Sequence, residues 1–180
     1  MADGAGGVDS QALTVSVTNL PGLTLIGGNG AQTLTGGGEE DTLRGGNARD
    51  ILIGGGGNDS LSGGNGADNL SGGAGNDRLA GGDGADRLNG GLGNDRLTGG
   101  DGADVFVFDA GFGRDVITDF TRGFDKIEIG NALFANFAAL QASAATNASG
   151  NTLITFDANN TIELVGVRVN QLTAGDFVFT

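Results

Sequence analysis

The feature that most restricts this chain is a strict nine-residue period. Gly-Gly pairs begin at residues 27, 36, 45, 54, 63, 72, 81, 90 and 99, with no slip. In that frame the eighth position reads Leu34, Leu43, Leu52, Leu61, Leu70, Leu79, Leu88, Leu97 and Phe106. The sixth reads Gln32, Asp41, Asp50, Asp59, Asp68, Asp77, Asp86, Asp95 and Asp104. The fourth is Gly except at Glu39 and Ala48. The unit is Gly-Gly-x-Gly-x-Asp-x-Leu-x. A flexible Gly-rich linker would not hold Leu and Asp in phase, so the reading is an internal-repeat architecture rather than a disordered acidic segment.

Each position has a physical reason. Gly at positions 1, 2 and 4 lets the turn adopt positive φ, which a Cβ disfavours, so that several carbonyls can converge on one point. The sixth-position carboxylate adds charge beside them, and carbonyl plus carboxylate oxygens form a hard ligand set suited to Ca²⁺. Triplets such as Ser60-Leu61-Ser62 alternate polar and apolar, which describes a short strand with its Leu turned inward. Two nine-residue units then make one coil of eighteen, with a strand on each side, and repeats n and n+2 stack in parallel at roughly 4.8 Å per coil. One Leu per nine residues is a thin core, and columns of Asp repel one another, so the roll is expected to need cations to fold.

Composition narrows the function. The 180 residues carry 22 acids and 9 bases, for a formal charge of −13. Nucleic acid is excluded as an expected partner, because phosphate contacts need a basic face. There is no Cys and no His. Disulfides, Cys/His zinc sites, Ser-His-Asp and Cys-His catalysis and the His-Glu-x-x-His zinc-protease motif are therefore absent. The Gly-rich turns lack the Lys of a phosphate cradle, and the position-6 Asp are accounted for as metal ligands rather than as a glycosidase pair. No apolar run has membrane-span length. Met1–Gly7 is neither basic nor apolar and does not read as a signal peptide. Six divalent ions would nearly cancel the formal charge.

The unit resembles the glycine-rich nonapeptide of RTX (repeats-in-toxin) proteins over residues 27–107. The resemblance implies a Ca²⁺-bound parallel β-roll with each ion between loops n and n+2. The implied ligands are both position-6 carboxylates, carbonyls of positions 1 and 3 of one loop, and carbonyls of positions 2 and 4 of the other. Carried onto this chain, one face pairs Asp41/Asp59, Asp59/Asp77 and Asp77/Asp95, and the other pairs Asp50/Asp68, Asp68/Asp86 and Asp86/Asp104. The carbonyl sets are Gly54 and Gly56 with Gly73 and Gly75; Gly63 and Asn65 with Gly82 and Gly84; Gly72 and Ala74 with Gly91 and Gly93; and Gly81 and Asp83 with Gly100 and Gly102. About six or more Ca²⁺ ions are expected. Gln32 should weaken the Gln32/Asp50 site, and Glu39 and Ala48 should strain or mis-aim their turns.

The flanks differ in composition. Leu13–Val17 and Leu23–Ile26 read as a degenerate leading coil, so residues 1–26 form an N-terminal strand or cap. All ten Phe lie at or after Phe106. Residues 108–180 alternate in the manner of antiparallel strands, with a hairpin at Asp157–Asn160 and one short helix within 132–146. The fold expected is all-β: a parallel β-roll of nine repeats with an antiparallel β cap containing one helix. This last third resembles the C-terminal module of serralysin-type secreted metalloproteases, through Asp115–Phe120, Gly123–Ile129 and the closing Asp176-Phe177-Val178-Phe179. That acid-then-apolar tail is similar to those of type I secretion substrates, with Thr180 one residue beyond. A plain capping domain explains the same residues and is compatible.

Three other features stand apart. Arg78, Arg87 and Arg96 share position 7. Their ladder suits an acidic polysaccharide or cell surface, as in RTX modules of alginate epimerases, and a solvated face that moderates the Asp charge is the preferred reading. Asp115, Asp119 and Asp125 are candidates for a further Ca²⁺ site, and turn chemistry explains them equally well. Ile51 and Ile53 point outward on the roll. The functional expectation is a non-catalytic, secreted calcium-binding module whose Ca²⁺-induced folding supports export by the type I secretion machinery. The alternatives are an accessory module of a secreted protease, lipase or epimerase, and an adhesin or polysaccharide-binding module.

Overall fold

The computed structural model describes residues 13–16, 22–130 and 132–180. The remainder of the expected N-terminal cap, including Val17, lies outside the described residues. The strands are β1 (Leu13–Ser16), β2 (Thr24–Ile26), β3 (Gln32–Thr35), β4 (Thr42–Asn47), β5 (Ile51–Gly56), β6 (Ser60–Asn65), β7 (Asn69–Ala74), β8 (Arg78–Asp83), β9 (Arg87–Leu92), β10 (Arg96–Asp101), β11 (Val105–Phe108), β12 (Arg114–Ile117), β13 (Lys126–Ile129), β14 (Ala144–Thr146), β15 (Thr152–Thr155), β16 (Thr161–Leu164) and β17 (Phe177–Phe179). Helix α1 spans Phe137–Ser143.

Odd-numbered strands β1 to β13, closed by β17, form one sheet. Even-numbered strands β2 to β12 form the other, which continues through β16, β15 and β14. Within the repeats every pairing is parallel and keeps the eighteen-residue step: Leu43↔Leu61, Leu61↔Leu79 and Leu79↔Leu97 on one side, Leu52↔Leu70 and Leu70↔Leu88 on the other. Positions 6, 8 and 1 face inward and 7 and 9 face outward, the alternation that a strand imposes. All eight position-8 Leu from Leu34 to Leu97 are buried. Each contributes about 1.5–3 kcal/mol by leaving water.

The parallel stack runs past residue 107. β11 pairs with β9 and β13, β12 with β10 and β16, and β13 with β17, all in parallel. Among the described residues antiparallel pairing is confined to β14–β15–β16, where the Asp157–Asn160 turn closes the expected hairpin. Strand alternation looks the same in either direction. The stack persists because β12 and β13 place Ile117 on Leu97 and Ile127 on Phe106, the last members of the two position-8 columns.

The core changes character here. Phe108 and Phe112 lie 5.1 Å apart, Phe112 and Phe156 5.0 Å, and Phe134 and Phe156 4.7 Å, replacing single leucines with an aromatic cluster. Helix α1 starts where Asn136 Oδ1 accepts the Ala139 N–H at 3.0 Å, a side-chain N-cap, and it buries Leu140. It ends earlier than its Ala content suggests. Ala144–Thr146 pair with Thr152–Ile154 as β14, so sheet pairing overrides helix propensity.

Candidate metal centre

From repeat 45–53 onward the turns share one backbone. Gly46, Gly55, Gly64, Gly73, Gly82, Gly91 and Gly100 at position 2 have φ between 98° and 113°. Position 4 is also left-handed, at Gly57, Gly66, Gly75, Gly84, Gly93 and Gly102, whereas position 1, expected to be so too, is not: its glycine is required by the carboxylate and carbonyl packed against it. These glycines are required by close approach as well as by φ. A Cβ on Gly84 would collide with Gly66 O, and one on Gly102 with Gly84 O. Ala48 holds φ +73°, the one non-Gly residue with positive φ among the described residues, so its turn is kept at a conformational cost. The first two repeats differ, because Gly28 and Gly37 are not left-handed.

The position-6 aspartates are buried and stacked. Asp41 N donates to Asp59 Oδ1 at 2.7 Å, Asp59 N to Asp77 Oδ1 at 2.7 Å, and Asp77 N to Asp95 Oδ1 at 2.8 Å. On the other face Gln32 N reaches Asp50, Asp50 N reaches Asp68, Asp68 N reaches Asp86 and Asp86 N reaches Asp104. The structure thus brings together every expected Asp pair. It adds two members that the nine-residue frame hides. Asp95 N donates to Asp115 Oδ1 at 2.8 Å, and Asp104 N to Asp125 Oδ1 at 3.0 Å. Their steps are 20 and 21 residues rather than 18, so a fixed period passes over them.

The second carboxylate oxygen decides the chemistry. Oδ2 of Asp50, Asp59, Asp68, Asp77, Asp86, Asp95, Asp104 and Asp115 is buried without a hydrogen-bond partner. A buried acceptor with no donor is costly. Each repeat Oδ2 lies against the first glycine of its own repeat, in space that a Cβ would fill. A Cβ on Gly63 would overlap Asp68 Oδ2 and sit 2.6 Å from Gly81 O. The same holds for Gly54 with Asp59 and Gly72 O, Gly72 with Asp77 and Gly90 O, and Gly81 with Asp86 and Gly99 O. Carboxylate and carbonyl oxygens are crowded together with nothing to neutralise them, which is what a hard cation requires. Burial is the main cause that pushes Asp59, Asp77, Asp86 and Asp95 up to about 6 and Asp115 up to about 8, against the lowering effect of the backbone N–H on Oδ1.

The expected carbonyl ligands are not alike. Position-1 carbonyls lie beside the free carboxylate oxygens, as above. The position-3 carbonyl of Asp83 accepts the Gly66 N–H at 2.7 Å, and the position-2 carbonyl of Gly37 accepts the Gly56 N–H at 2.8 Å. Such groups in the inter-coil ladder keep one lone pair for a metal.

Three carboxylates at the ends are satisfied by backbone instead. Asp41 Oδ2 accepts the Gly37 N–H at 2.7 Å and its Oδ1 the Leu23 N–H at 3.0 Å. Asp125 Oδ2 accepts the Thr121 N–H at 2.7 Å. Asp119 accepts the N–H groups of Gly99 and Gly100 at 3.0 and 2.9 Å. Gln32 Oε1 accepts the Gly28 N–H at 2.9 Å, so the first repeat closes its turn as Asp41 does. Asp115, Asp119 and Asp125 form no joint site. Asp115 stacks on Asp95, Asp125 stacks on Asp104, and Asp119 caps a loop.

Of the arginines, Arg78 and Arg96 are neighbours on β8 and β10. Arg87 is on the opposite sheet and pairs with Glu128 at 2.7 and 2.9 Å. Ile51 and Ile53 are exposed. Among the described residues no helix is long and apolar enough to cross a membrane.

Fold and site together define a parallel β-roll whose turns are built to hold hard cations. The model of the RTX calcium-binding nonapeptide repeat (4 copies) matches residues 26–61, 45–79, 62–97 and 80–117. The chain belongs to this family of calcium-binding repeats. Among solved structures, the AlgE6R2 subunit of a mannuronan C5-epimerase from Azotobacter vinelandii is similar with a TM-score of 0.52 and 32% identity, over 68% of this chain and 88% of that one. The AlgE6R3 subunit of the same organism's epimerase gives a TM-score of 0.40 at 28% identity, over 77% of each chain. The extracellular lipase LipA of Serratia marcescens gives 0.43 at 17% identity, over 84% of this chain and 40% of the lipase. No curated protein matches the chain.

Proposed function

We propose that this chain is a non-catalytic module whose folding is switched on by Ca²⁺ and which serves the export and extracellular stability of a secreted protein. The observation that carries the reading is the double column of buried carboxylates with an unpartnered Oδ2. In the pairs Asp50/Asp68, Asp68/Asp86, Asp86/Asp104, Asp59/Asp77 and Asp77/Asp95 both members have that oxygen free. These carboxylates, with the position-1 carbonyls beside them, would hold the ions. Bound Ca²⁺ supplies positive charge that offsets the buried negative columns. Each ion that binds only the folded state adds about 2.7 kcal/mol at a hundredfold excess over its Kd, so several together exceed the stability of an ordinary domain.

Where Ca²⁺ is scarce, the nonapeptide repeats stay unfolded, and the chain can thread a narrow exporter of the type I machinery. Outside, higher Ca²⁺ closes the roll, and residues 108–180 cap its last coil and carry the export signal. Similarity to subunits of an epimerase favours an accessory role beside an enzyme. Circular dichroism at neutral pH tests the reading. Loss of most of the β signal in chelator and its cooperative gain on adding Ca²⁺ are expected, and repeats fully folded in excess chelator would refute it.

A second reading rests on Arg78 and Arg96, stacked beside Ser60, Ser62 and Thr98 around a shallow depression of about 240 Å³. An acidic polysaccharide could lie along them. Retention of alginate by the native chain and its loss in Arg78→Ala/Arg96→Ala would support that surface.

A further inference from the structure

We propose that residues 110–117, which the last matching copy of the repeat model reaches, form a tenth turn offset by two residues from the strict nine-residue frame, and that Asp115 completes a calcium site with Asp95. The inference rests on the calcium-module reading above. Ala110-Gly111-Phe112-Gly113-Arg114-Asp115-Val116-Ile117 matches positions 1 to 8 of the repeat once the frame moves from 108 to 110.

Column by column, the geometry agrees from position 2 onward. Gly111 and Gly113 are left-handed at φ +87° and +93°, as positions 2 and 4 require. Gly113 bridges Gly93 in parallel, and a Cβ on it would strike Gly93 O, just as one on Gly93 would strike Gly75 O. Gly93 N donates to Phe112 O at 3.2 Å, repeating the bond of Gly75 N to Leu92 O at 2.8 Å one coil earlier. At position 5, Asn58 Oδ1 accepts the Asn76 N–H, Asn76 Oδ1 the Asn94 N–H and Asn94 Oδ1 the Arg114 N–H, at 2.8, 2.8 and 3.0 Å. Ile117 takes the position-8 place on Leu97.

Asp115 itself is 2% exposed, and its Oδ2 has no partner. That separates it from Asp125, the last carboxylate of the other face, whose Oδ2 is held by Thr121 N–H. It also separates it from Asp41 at the start of its own column, where backbone donors engage both oxygens. The column Asp59–Asp77–Asp95–Asp115 is therefore displaced one turn toward the C-terminus relative to the Asp41–Asp59–Asp77–Asp95 column expected from the repeat frame. Its free-oxygen pairs end at Asp95/Asp115 rather than beginning at Asp41/Asp59. The total of two-carboxylate pairs is the same under both maps, so a stoichiometry of the native chain alone does not separate them.

The test is calorimetric Ca²⁺ titration of the full chain and of Asp115→Asn, Asp125→Asn and Asp41→Asn, each checked for β signal in Ca²⁺. One ion fewer in Asp115→Asn, with the native count in the other two, supports the proposal. The native count in Asp115→Asn, or the loss of an ion only in Asp41→Asn, overturns it. A native chain that binds no Ca²⁺ overturns the calcium-module reading itself. If Asp115→Asn does not fold, a crystal structure of the native protein grown in Ca²⁺ decides. Ion density between the Asp95 and Asp115 carboxylates upholds the site, and water or nothing there refutes it.

Discussion

Between Gly45 and Val107 each nine-residue unit buries one position-8 side chain, leucine in six units and Phe106 in the last, and one aspartate. Beyond Phe108 the same two sheets close over phenylalanines, isoleucines and leucines packed ring against ring. Among the described residues, seven carboxylates of the first region leave an oxygen buried without a donor, and in the second Asp115, at the junction, does. Asp125 and Asp176 are just as buried, yet backbone and hydroxyl donors satisfy them. The difference teaches that shared strand topology does not imply a shared source of stability. The repeats hold a shape whose electrostatics are incomplete, and beyond Asp115 the buried carboxylates Asp125 and Asp176 are satisfied by donors of the fold itself.

Removing the metal should break the comparison most visibly. In chelator at neutral pH, amides of β5 to β10 should exchange with solvent quickly, while those of β15 and β16, behind the Phe112–Phe156–Phe134 cluster, keep more protection. Uniform exchange over both regions would contradict the contrast. Next come two glycines. Gly84→Ala places a Cβ against Gly66 O at φ +139° and should abolish the Ca²⁺-induced β signal. Gly150→Ala, at φ +83° with open space around it, should cost only about 1 kcal/mol in a denaturant melt. Truncating a core side chain is expected to cost about 2–5 kcal/mol for Leu70→Ala and about 3–5 kcal/mol for Phe112→Ala. The Leu70 variant should also need more Ca²⁺ to fold, because folding and binding are linked there.

Acidity gives a subtler contrast. An acid with a raised folded pKa is disfavoured by the fold in its charged form. Without metal, the stability of the roll is therefore fullest below about pH 4, where the unfolded carboxylates also protonate. It is lost as pH rises through about 6 for Asp59, Asp77, Asp86 and Asp95, and Asp115 extends the loss to about 8. Metal-free protein scanned by circular dichroism from pH 4 to 8 should lose β signal, and a gain over that range would contradict the origin assigned to it. With Ca²⁺ the dependence reverses, since protons compete with the ion for the same oxygens. The smallest effect belongs to Ala48→Gly, which relieves one left-handed alanine and should raise the Ca²⁺-loaded stability by up to about 1 kcal/mol.

Much of this molecule is legible in its sequence because a strict repeat ties each residue type to one place in a coil. The parallel stacking, the leucine ladder, the aspartate columns and the left-handed turns all follow from nine residues read once. Other features depend on contacts between distant segments. Strands 105–108, 114–117 and 126–129 alternate in a way that permits either direction, and only stacking on the leucine columns makes them parallel. Helix α1 gives up its last turn because β15 offers Ala144–Thr146 a partner. Asp115 and Asp125 join the columns at steps of 20 and 21, where loop length, not period, sets the register. The repeat frame marks Asp41 to Asp104 as equivalent and passes over Asp115 and Asp125. Tertiary structure makes them unequal by supplying a backbone donor to the second oxygen of Asp41 and Asp125 and withholding one from Asp115. A buried carboxylate oxygen is capped or left free according to whether its own turn brings an N–H within reach.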